Sequence, residues 1–514
     1  MKDNSDISGS EPGLEGAIRQ LARAVETLTA TLQQAQPPAA ATPAAKPGPA
    51  PKAAPKAAPA PKAKAVAKAD ADTVRLALIG TRGHGKILLK AFTGQKRCRF
   101  THVCDADTRP GKATVTEIAN KQGHRPEFEQ DYRKLLANPD IDAVVLATPH
   151  HWHALMAVEA LRAGKHVYLE KPVTHNMNEG PVLRAAAAKY GRVLQAGTQL
   201  RSNTSLAAAG EYMRAGKLGK ILGVHCLIHK DRPPMPPSTE TTIPASVDFD
   251  LWCGPGPMDA PARGKFHYHW HWFWDYGNGA LGNNGVHRID VARIALDLKG
   301  LGDLAISLGG RFGPRDNGET PNNQLTLHRF GDIWVLQDVL GLKPKAFRGI
   351  ENGIFFYGTQ GTILYNAGKA TLLDADQQPV STFPGKQESH HANFLDAIVQ
   401  KNPDLARGDL DEAILSSDLC HLGNISYRLG DMAADEDIAR RLQMLDVPQF
   451  VLDRLQAQRE NLTQNGLDDQ MILGRLLQPG TGSGADALAH DPEARALATN
   501  SYRAPYLLPA PSEV

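Results

Sequence analysis

The sequence is short of cysteine and lacks a paired cysteine motif. Its 514 residues include five cysteines, none in a CxxC arrangement: Cys98, Cys104, Cys226, Cys253 and Cys420. An odd number leaves one thiol outside any disulfide scheme, which is typical of a reducing compartment. No window approaches the roughly 18 apolar residues of a membrane span. The first residues, MKDNSDISGSEPG, lack the basic and apolar regions of a signal peptide, so we expect a cytoplasmic protein.

The chain also lacks an excess of charge of either sign. Lysine and arginine number 57 and aspartate and glutamate 55, so the formal net charge is +2. The basic residues are spread along the chain, whereas a nucleic acid or an acidic membrane surface selects a basic patch. We therefore expect neither a nucleic-acid nor a membrane partner.

The first 72 residues differ in composition from the rest. Residues 1–35 carry apolar side chains four and three residues apart in turn, at Leu14, Ile18, Leu21, Val25, Leu28 and Leu32. This heptad spacing predicts a short helix that self-associates or docks on a partner. The alternative is a frayed helix, because fewer than three heptads are marginal alone. Residues 36–72 are mostly Ala, Pro and Lys, which predicts a disordered spacer.

Residues 73–198 have the pattern of an α/β domain with a parallel sheet. The apolar runs VRLALIG, RFTHVCD, DAVVLAT, HVYLE and RVLQAG alternate with helix-like stretches. Continuous apolar strands separated by helices indicate a sheet covered on both faces. We predict a Rossmann domain that binds a dinucleotide.

Residues 199–430 predict a second α/β domain with a large, mostly antiparallel open sheet. Segments such as ILGVHCLIH, LAISLGG and NQLTLHRF alternate more strictly and lack long helices between them. Such a sheet has one face packed and one available for association. Residues 431–514 form a C-terminal extension to which we assign no chemical role.

A glycine-rich turn follows the first strand and predicts the dinucleotide site. The turn reads GTRGHG, and its candidate contacts are Gly80, Arg82, Gly83 and Gly85. A tight turn into a helix N-terminus presents backbone amides to a pyrophosphate. Asp105, which ends the second strand, is placed to accept hydrogen bonds from the ribose and to repel a 2′-phosphate. NAD is therefore favoured, while Arg82 and the nearby Arg109 keep NADP possible.

Two motifs follow later strands of the predicted parallel sheet. Thr148-Pro149 with His153 comes after one strand, and Glu170-Lys171-Pro172 after the next. The carboxyl ends of parallel strands are where this kind of sheet places ligand chemistry. An oxidised nicotinamide beside Lys171 would lower the pKa of its ammonium. The lysine could then relay a proton as a hydride leaves.

Together with Gly285-Val286-His287-Arg288-Ile289-Asp290, these motifs resemble the glucose–fructose oxidoreductase/inositol dehydrogenase (Gfo/Idh/MocA) family over roughly residues 74–429. The resemblance implies a Rossmann domain, an α/β domain with an open sheet, bound NAD(P), a sugar or polyol substrate, and dimers or tetramers. It makes Lys171 the catalytic lysine, His287 a catalytic or hydroxyl-binding histidine, and Asp290 an accessory residue. It also places Thr148, Pro149, His153 and Glu170 at the cofactor.

One position departs from the family pattern. Members similar to inositol dehydrogenase carry an aspartate four residues before the histidine, where this chain has Asn283. Asparagine can hydrogen-bond a substrate but cannot take a proton or raise the pKa of a histidine. Lys171 and His287, aided by Tyr276, would have to suffice. Two alternatives therefore stay open: a redox-neutral hydrolase, lyase or epimerase with tightly bound NAD, and a scaffold without turnover.

Aromatic residues are only 6% of the chain, yet Phe266–Tyr276 reads FHYHWHWFWDY. If extended, this segment puts its histidines on one face and Tyr268, Trp270 and Trp272 on the other. Aromatic faces that stack on sugar C–H groups would suit a carbohydrate pocket, and core packing is the alternative. Our candidate substrate contacts are Gln199, Arg201, Trp272, Tyr276, Asn283 and His287. A metal site would need a carboxylate or cysteine beside the histidines, so none is predicted.

Overall fold

The computed structural model describes residues 72–235, 243–259, 264–468 and 470–514. The heptad helix predicted over residues 1–35 lies outside the described residues, as does the spacer predicted over 36–72 apart from Asp72. In the part of the chain that is described, no helix is long and apolar enough to cross a membrane.

The first sheet is parallel and follows the order β3-β2-β1-β4-β5-β6. Its strands are β1 (Val74–Ile79), β2 (Cys98–Cys104), β3 (Glu127–Glu129), β4 (Ala143–Leu146), β5 (His166–Leu169) and β6 (Leu194–Ala196). The strand order reverses between β1 and β4, and the crevice outside the carboxyl ends at such a point is where ligands bind. The Rossmann fold class expected from the sequence is confirmed.

Helices cover both faces of this sheet because its strands are apolar on both sides. Their bounds are α1 (His84–Thr93), α2 (Thr108–Gln122), α3 (Tyr132–Leu136), α4 (His153–Arg162) and α5 (Glu179–Tyr190). The next helix, α6 (Thr204–Arg214), packs instead in the core of the second sheet. One face packs Leu88 and Phe92 of α1 against Val145. The other packs α4 and α5 over Val144 and Val167. Both layers hold the carboxyl strand ends fixed, as a precise site requires.

The second sheet is large and mostly antiparallel, as predicted. Its order is β14-β13-β12-β11-β7-β10-β9-β8-β16-β15, and only the β7–β10 pair runs parallel among the described strands. The strands are β7 (Ile221–His229), β8 (Leu304–Gly310), β9 (Asn323–Phe330), β10 (Ile333–Leu340), β11 (Ile354–Gly358), β12 (Gly361–Asn366), β13 (Lys369–Leu373), β14 (Pro379–Thr382), β15 (Asp431–Ala433) and β16 (Met471–Leu473).

Further helices pack on the second sheet and join it to the first. They are α7 (Phe249–Cys253), α8 (Val286–Leu296), α9 (His390–Val399), α10 (Leu410–Arg428), α11 (Asp435–Met444), α12 (Gln449–Gln464) and α13 (Pro492–Leu497). Short 3₁₀ turns cover His150–Trp152, Gln199–Ser202, His269–Trp272, Pro403–Leu405, Gly484–Leu488 and Pro511–Glu513, and a π-helical turn covers Leu281–Gly285. Helix α8 follows that π turn directly, which aims its first residues at the first sheet.

The sequence predicted that one face of the second sheet is available for association, but the outer face of β8–β10 is covered by the chain itself. Residues after 430 add β15 and β16 to the sheet edge and lay α11 and α12 across this face. Ile438 and Leu442 of α11, with Val451 and Leu462 of α12, pack on Leu325, Leu327 and Leu336. The tail carries its own apolar stripe, so it covers the face within one chain. The segment without an assigned role is thus a structural layer of the second domain.

Candidate active site

A cavity of about 460 Å³ lies at the carboxyl ends of the parallel strands. The Rossmann domain supplies the glycine-rich turn, Asp105, Thr148-Pro149 and Glu170-Lys171 to its wall. The second domain supplies Asn283 and His287 from the π turn and the start of α8. Residues far apart in sequence, which were singled out for cofactor and catalytic roles, therefore line a single space.

The glycine-rich turn is shaped so that a ligand can approach its backbone. Gly80 has φ +87°, and a Cβ there would lie 2.5 Å from the Ala147 carbonyl oxygen. A Cβ on Gly85 would lie 2.1 Å from the Gly80 carbonyl oxygen. Helix α1 then begins without a side-chain cap, so its first amides point outward unsatisfied by side chains. That arrangement fits a pyrophosphate, with the exposed Arg82 beside it.

Gly80→Ala is expected to weaken NADH binding by about tenfold or more. The left-handed backbone conformation alone costs an alanine about 1–2 kcal/mol, and the Ala147 carbonyl leaves no room for the methyl group. Fluorescence titration with NADH measures the effect. Gly94→Ala, at the other end of α1, is the control, because its backbone is right-handed and a Cβ meets nothing closer than 3.5 Å. Equal NADH affinity in the two variants would contradict the assignment of the glycine-rich turn as the dinucleotide site.

Asp105 lies at the cavity wall just after β2 and is held in one orientation. Its Oδ2 accepts hydrogen bonds from the Thr81 amide at 2.8 Å and the Thr81 hydroxyl at 2.6 Å. Its Oδ1 accepts from the Asp107 amide at 2.9 Å. Burial raises the pKa of Asp105, and the Thr81 bonds oppose that rise. A neighbouring surface pocket contains Arg82, Lys86 and Arg109, so cationic groups stand close to this carboxylate.

Lys171 enters the cavity beside a buried carboxylate. Its Nζ donates a hydrogen bond of 2.6 Å to the Asn283 carbonyl oxygen across the domain boundary. Burial lowers the pKa of Lys171, with partial compensation by Glu170. Glu170 lies 3.0 Å from Nε2 of His84. Burial alone would raise the pKa of Glu170, but His84 and Lys171 outweigh it and hold the carboxyl ionised.

His287 faces Lys171 from the second domain. Its Nδ1 is buried and has no hydrogen-bond partner, which is unusual for a buried polar atom. Burial, followed by the charge of Lys171, lowers the pKa of His287 well below its ordinary value. The imidazole is therefore neutral and offers one donor and one acceptor. The preceding π turn, a form often found at functional sites, sets its direction.

His153 and Thr148 build the floor of the cavity. The two ring nitrogens of His153 lie 2.6 Å from the Pro172 carbonyl oxygen and 2.9 Å from that of Thr148. The imidazole thereby ties the segment after β4 to the segment after β5. The Thr148 hydroxyl is buried without a partner, so it is available to a ligand that enters beside Pro149.

The aromatic segment is compact where an extended strand was considered. Its centre forms a 3₁₀ turn, and His271 stacks on Trp270 with ring centroids 3.6 Å apart. Trp270, His271 and the half-exposed Tyr268 line the cavity. Trp272 instead packs beneath Arg232, 4.8 Å from its guanidinium. Because the turn replaces the alternation of a strand, the side chains that meet the cavity differ from those chosen on sequence.

Four predicted contacts lie away from the cavity. The Tyr276 hydroxyl donates to the carbonyl oxygens of Pro257 at 2.7 Å and Asp259 at 2.9 Å. The Gln199 carbonyl accepts from Gln387. The remaining two, Arg201 and Asp290, form a buried ion pair at 2.7 Å. These groups are occupied by partners inside the protein.

The Asp290 carboxylate fastens α8 to its neighbours. It also accepts a 2.9 Å hydrogen bond from the Ser416 hydroxyl of α10. Arg201 belongs to the 3₁₀ turn that follows β6, so Asp290 joins three elements: this turn, α8 and α10. Asp290 stands one helical turn after His287 and fixes the helix that carries it. The structure gives it the geometry of a positioning residue.

Four histidines make the stability of the protein depend on pH. Burial lowers the pKa of His151, His271 and His421 to about 3 and that of His175 to about 4, against an ordinary 6.5. The unfolded chain therefore binds protons that the folded chain excludes. The free energy of unfolding should therefore keep its full contribution from these histidines above pH 6.5, and it should decrease as the pH falls toward 3.

Thermal unfolding midpoints between pH 7.5 and 4.5 test this expectation. His421→Gln, which can still bond Thr174, should reduce the loss at low pH. His490→Gln, at an exposed site, should leave the profile as in the parent. A midpoint that stays level from pH 6.5 to 4.5 would show that these imidazoles are protonated in the folded protein.

Several polar residues of the cavity wall were not among the site residues predicted from the sequence. Thr81, His84 and His150 come from the Rossmann domain, and Lys230 and Asn284 from the second. Thr81, His84 and His150 could have been found, because they lie within the glycine-rich turn or directly after Thr148-Pro149. Lys230 and Asn284 become their neighbours only through the packing of the second domain on the first, which no local pattern reveals. Among the described residues, no cluster of three or more His, Cys, Asp or Glu could hold a metal ion.

Comparison with known proteins agrees with this architecture. Glycosyl hydrolase family 109 protein 2 of Shewanella sp. (strain ANA-3) is 38% identical over 112 residues, 21% of this chain and 25% of that protein. Inositol 2-dehydrogenase 1 of Saccharopolyspora erythraea is 33% identical over 189 residues, 35% and 53% of the two chains. Levoglucosan dehydrogenase of Pseudarthrobacter phenanthrenivorans is 26% identical over 275 residues, 49% and 62%. The chain thus spans less than two thirds of each relative.

A solved structure and two family profiles complete the comparison. The WlbA dehydrogenase from Bordetella pertussis superposes with a TM-score of 0.50 at 19% identity, over 67% of this chain and 93% of that one, which shows a shared fold. Residues 74–198 match the oxidoreductase family's NAD-binding Rossmann fold, and residues 237–310 match its C-terminal alpha/beta domain. Over these two segments the chain therefore carries the two domains of the Gfo/Idh/MocA oxidoreductase family, the first of which is its NAD-binding domain.

Proposed function

We propose that this protein transfers a hydride between a nicotinamide dinucleotide and a hydroxyl-bearing carbon of a sugar or polyol. The observation that carries the proposal is that Lys171 and His287 line the same cavity as the glycine-rich turn. The relatives named as inositol and levoglucosan dehydrogenases support a polyol or sugar as the substrate class.

The residues of the cavity fit the dinucleotide. The uncapped start of α1 and the close backbone approach at Gly80 suit a pyrophosphate. Asp105 is held with its carboxylate at the wall, where ribose hydroxyls would donate to it. When bound, the nicotinamide supplies the acceptor or donor for the hydride. We favour NAD because Asp105 would repel a 2′-phosphate, although Arg82, Lys86 and Arg109 lie close enough to accommodate NADP.

Lys171 moves the proton in this scheme. Burial lowers the pKa of its ammonium, so the neutral amine that takes a proton from a substrate hydroxyl is accessible. The Asn283 carbonyl, 2.6 Å from Nζ, holds the side chain in place. In the reverse direction the ammonium returns the proton to the forming alkoxide.

His287 orients and polarises the reacting hydroxyl. It is a neutral imidazole with an unpartnered Nδ1. It can therefore hydrogen-bond the substrate hydroxyl without itself taking up the proton. The Asn283 side chain, which stands where related enzymes carry an aspartate, supplies a hydrogen bond and no proton. Lys171 is therefore the single proton-transfer group in our proposal, and Trp270 and His271 form an aromatic wall for the sugar ring.

A second candidate is a redox-neutral reaction in which NAD stays bound and oxidises a sugar carbon transiently. This second candidate is supported by the 38% identity to a glycosyl hydrolase family 109 protein across 112 residues. The absence of an acidic partner for His287 at position 283 also suggests altered acid–base chemistry.

The test is to purify the full chain, denature it and identify any released nucleotide, then assay native protein with NAD, NADP and a panel of polyols. Reversible binding with net NADH or NADPH formation supports the dehydrogenase. Tightly retained NAD(H), combined with cleavage of a glycoside and no free NADH, supports the redox-neutral candidate. A protein that binds no dinucleotide would overturn both.

A further inference from the structure

A second polar cavity, of about 570 Å³, lies next to the active-site cavity. The two cavities share Lys230 and Asn284 on their walls. Lys230 follows β7, and Asn284 lies in the π turn that precedes His287. A substrate that reacts beside His287 can therefore extend from the first cavity into the second.

Arg288 lines this second cavity without an ion-pair partner among the described residues. It directly follows His287 on α8, and its Nε is buried without a hydrogen bond. The groups that modulate its charge are Cys226 and Tyr365, and burial lowers the pKa of its guanidinium. A partly desolvated cation with no counter-charge is costly, so a missing anion is the simplest reason for it.

Two more cations stand at the junction of the cavities. Arg232 donates to two neutral groups, the Tyr268 hydroxyl at 2.6 Å and the Asn284 side-chain oxygen at 3.2 Å. Burial, and then repulsion by Arg232, lowers the pKa of Lys230. Both cations also repel the ammonium of Lys171. Asp231 and Glu351 line the same second cavity, yet no ion pair of the described residues joins them to these cations.

Three other arginines of the second domain each form an ion pair with a carboxylate. Arg293 lies 3.0 Å from Glu412, and Arg454 lies 2.7 Å from Asp338. Arg311 lies 2.6 Å from Asp316. Each of these three guanidinium groups therefore has a carboxylate partner within the protein. The group formed by Lys230, Arg232 and Arg288, which we call the cationic junction, has no ion pair among the described residues, and its Lys230 and Arg288 line the second cavity.

We propose that the substrate carries an anionic group, a carboxylate or a phosphate, that binds at the cationic junction while the reacting carbon lies at Lys171 and His287. This inference rests on the proposed function and narrows its substrate to acidic sugars or sugar phosphates. A guanidinium presents paired N–H donors that match both kinds of anion. The reacting hydroxyl and the anion would bind on opposite sides of Asn284.

The test uses the full-length protein saturated with NAD and three ligands that differ at C6 alone: D-glucose, D-glucuronate and D-glucose 6-phosphate. Dissociation constants are measured by calorimetry at constant ionic strength. We expect at least one anion to bind about tenfold or more tightly than glucose, as charged hydrogen bonds allow. Preference for glucuronate identifies a carboxylate, and preference for glucose 6-phosphate identifies a phosphate.

Lys230→Met and Arg288→Met should abolish the preference, measured within each variant as the ratio of the dissociation constant of glucose to that of the anion. Lys230 is exposed, so that variant keeps the fold even if Arg288→Met does not. Lys369→Met, an exposed lysine of β13 outside both cavities, is the control and should keep the preference. The absence of any preference for an anion, or its survival in Lys230→Met, would overturn the proposal. Failure to bind NAD would overturn the proposed function instead, whereas an anion preference measured without NAD would still mark the junction as an anion site.

Discussion

Lys171→Met is expected to lower kcat for polyol oxidation by about 10²–10⁴-fold, the contribution typical of one general acid–base group. Nζ lies in the cavity, held by the Asn283 carbonyl oxygen, and a methionine side chain has no group that could accept or donate the proton in its place. Dinucleotide affinity should stay close to that of the parent, because the pyrophosphate contacts belong to the glycine-rich turn. Steady-state kinetics with NADH titration separates the two quantities.

The pH profile supplies a signature that a structural role would not show. Oxidation requires the neutral amine, so kcat of the parent should rise with pH through an ionisation below the ordinary lysine value of 10.5. Lys171→Met should lose this ionisation. Lys96→Met, at an exposed turn before β2, should keep both rate and profile. A Lys171→Met enzyme with an unchanged profile would assign the proton transfer to another group.

Asp290→Asn is expected to lower the free energy of unfolding by about 3–5 kcal/mol, the effect of breaking one side of a buried ion pair. The carboxylate is 1% exposed and the substitution leaves the Arg201 guanidinium without its 2.7 Å partner. Urea denaturation measures the change. Because α8 also carries His287, kcat should fall while dinucleotide affinity is kept.

Two further variants isolate the ion pair from other effects. The double variant Asp290→Asn with Arg201→Gln should recover part of the stability, since neither buried charge then lacks a partner. Asp297→Asn, in the exposed pair with Lys299 at the end of α8, should leave the unfolding midpoint unchanged. If Asp290→Asn behaves like Asp297→Asn, the buried pair does not fasten the helix.

The parts of the site that follow strands directly could be predicted from the sequence. Gly80, Asp105, Thr148 and Lys171 each come just after an apolar run, and parallel strands bring such positions to one edge. The β3-β2-β1-β4-β5-β6 order then converges them on one cavity. His287 was found by its motif, since no strand places it.

The other residues of the site could not be predicted, because their positions depend on packing that local sequence patterns do not encode. Trp272 and Tyr276 were chosen as substrate contacts, whereas a 3₁₀ turn presents Trp270 and His271. Arg201 was predicted to contact the substrate, whereas the fold pairs it with Asp290. Conversely, Arg288 looked like a spacer inside the motif, and only the structure reveals that no carboxylate among the described residues meets it.

The layer formed by α11 and α12 changes how the second sheet responds to protein concentration. A sheet face covered by another copy of a chain is protected only when that copy is present, so its stability follows mass action. Here the covering helices are tethered to α10 through Gly430 and act as an intramolecular ligand at a fixed effective concentration. The apolar surface of β8–β10 therefore stays covered at any dilution.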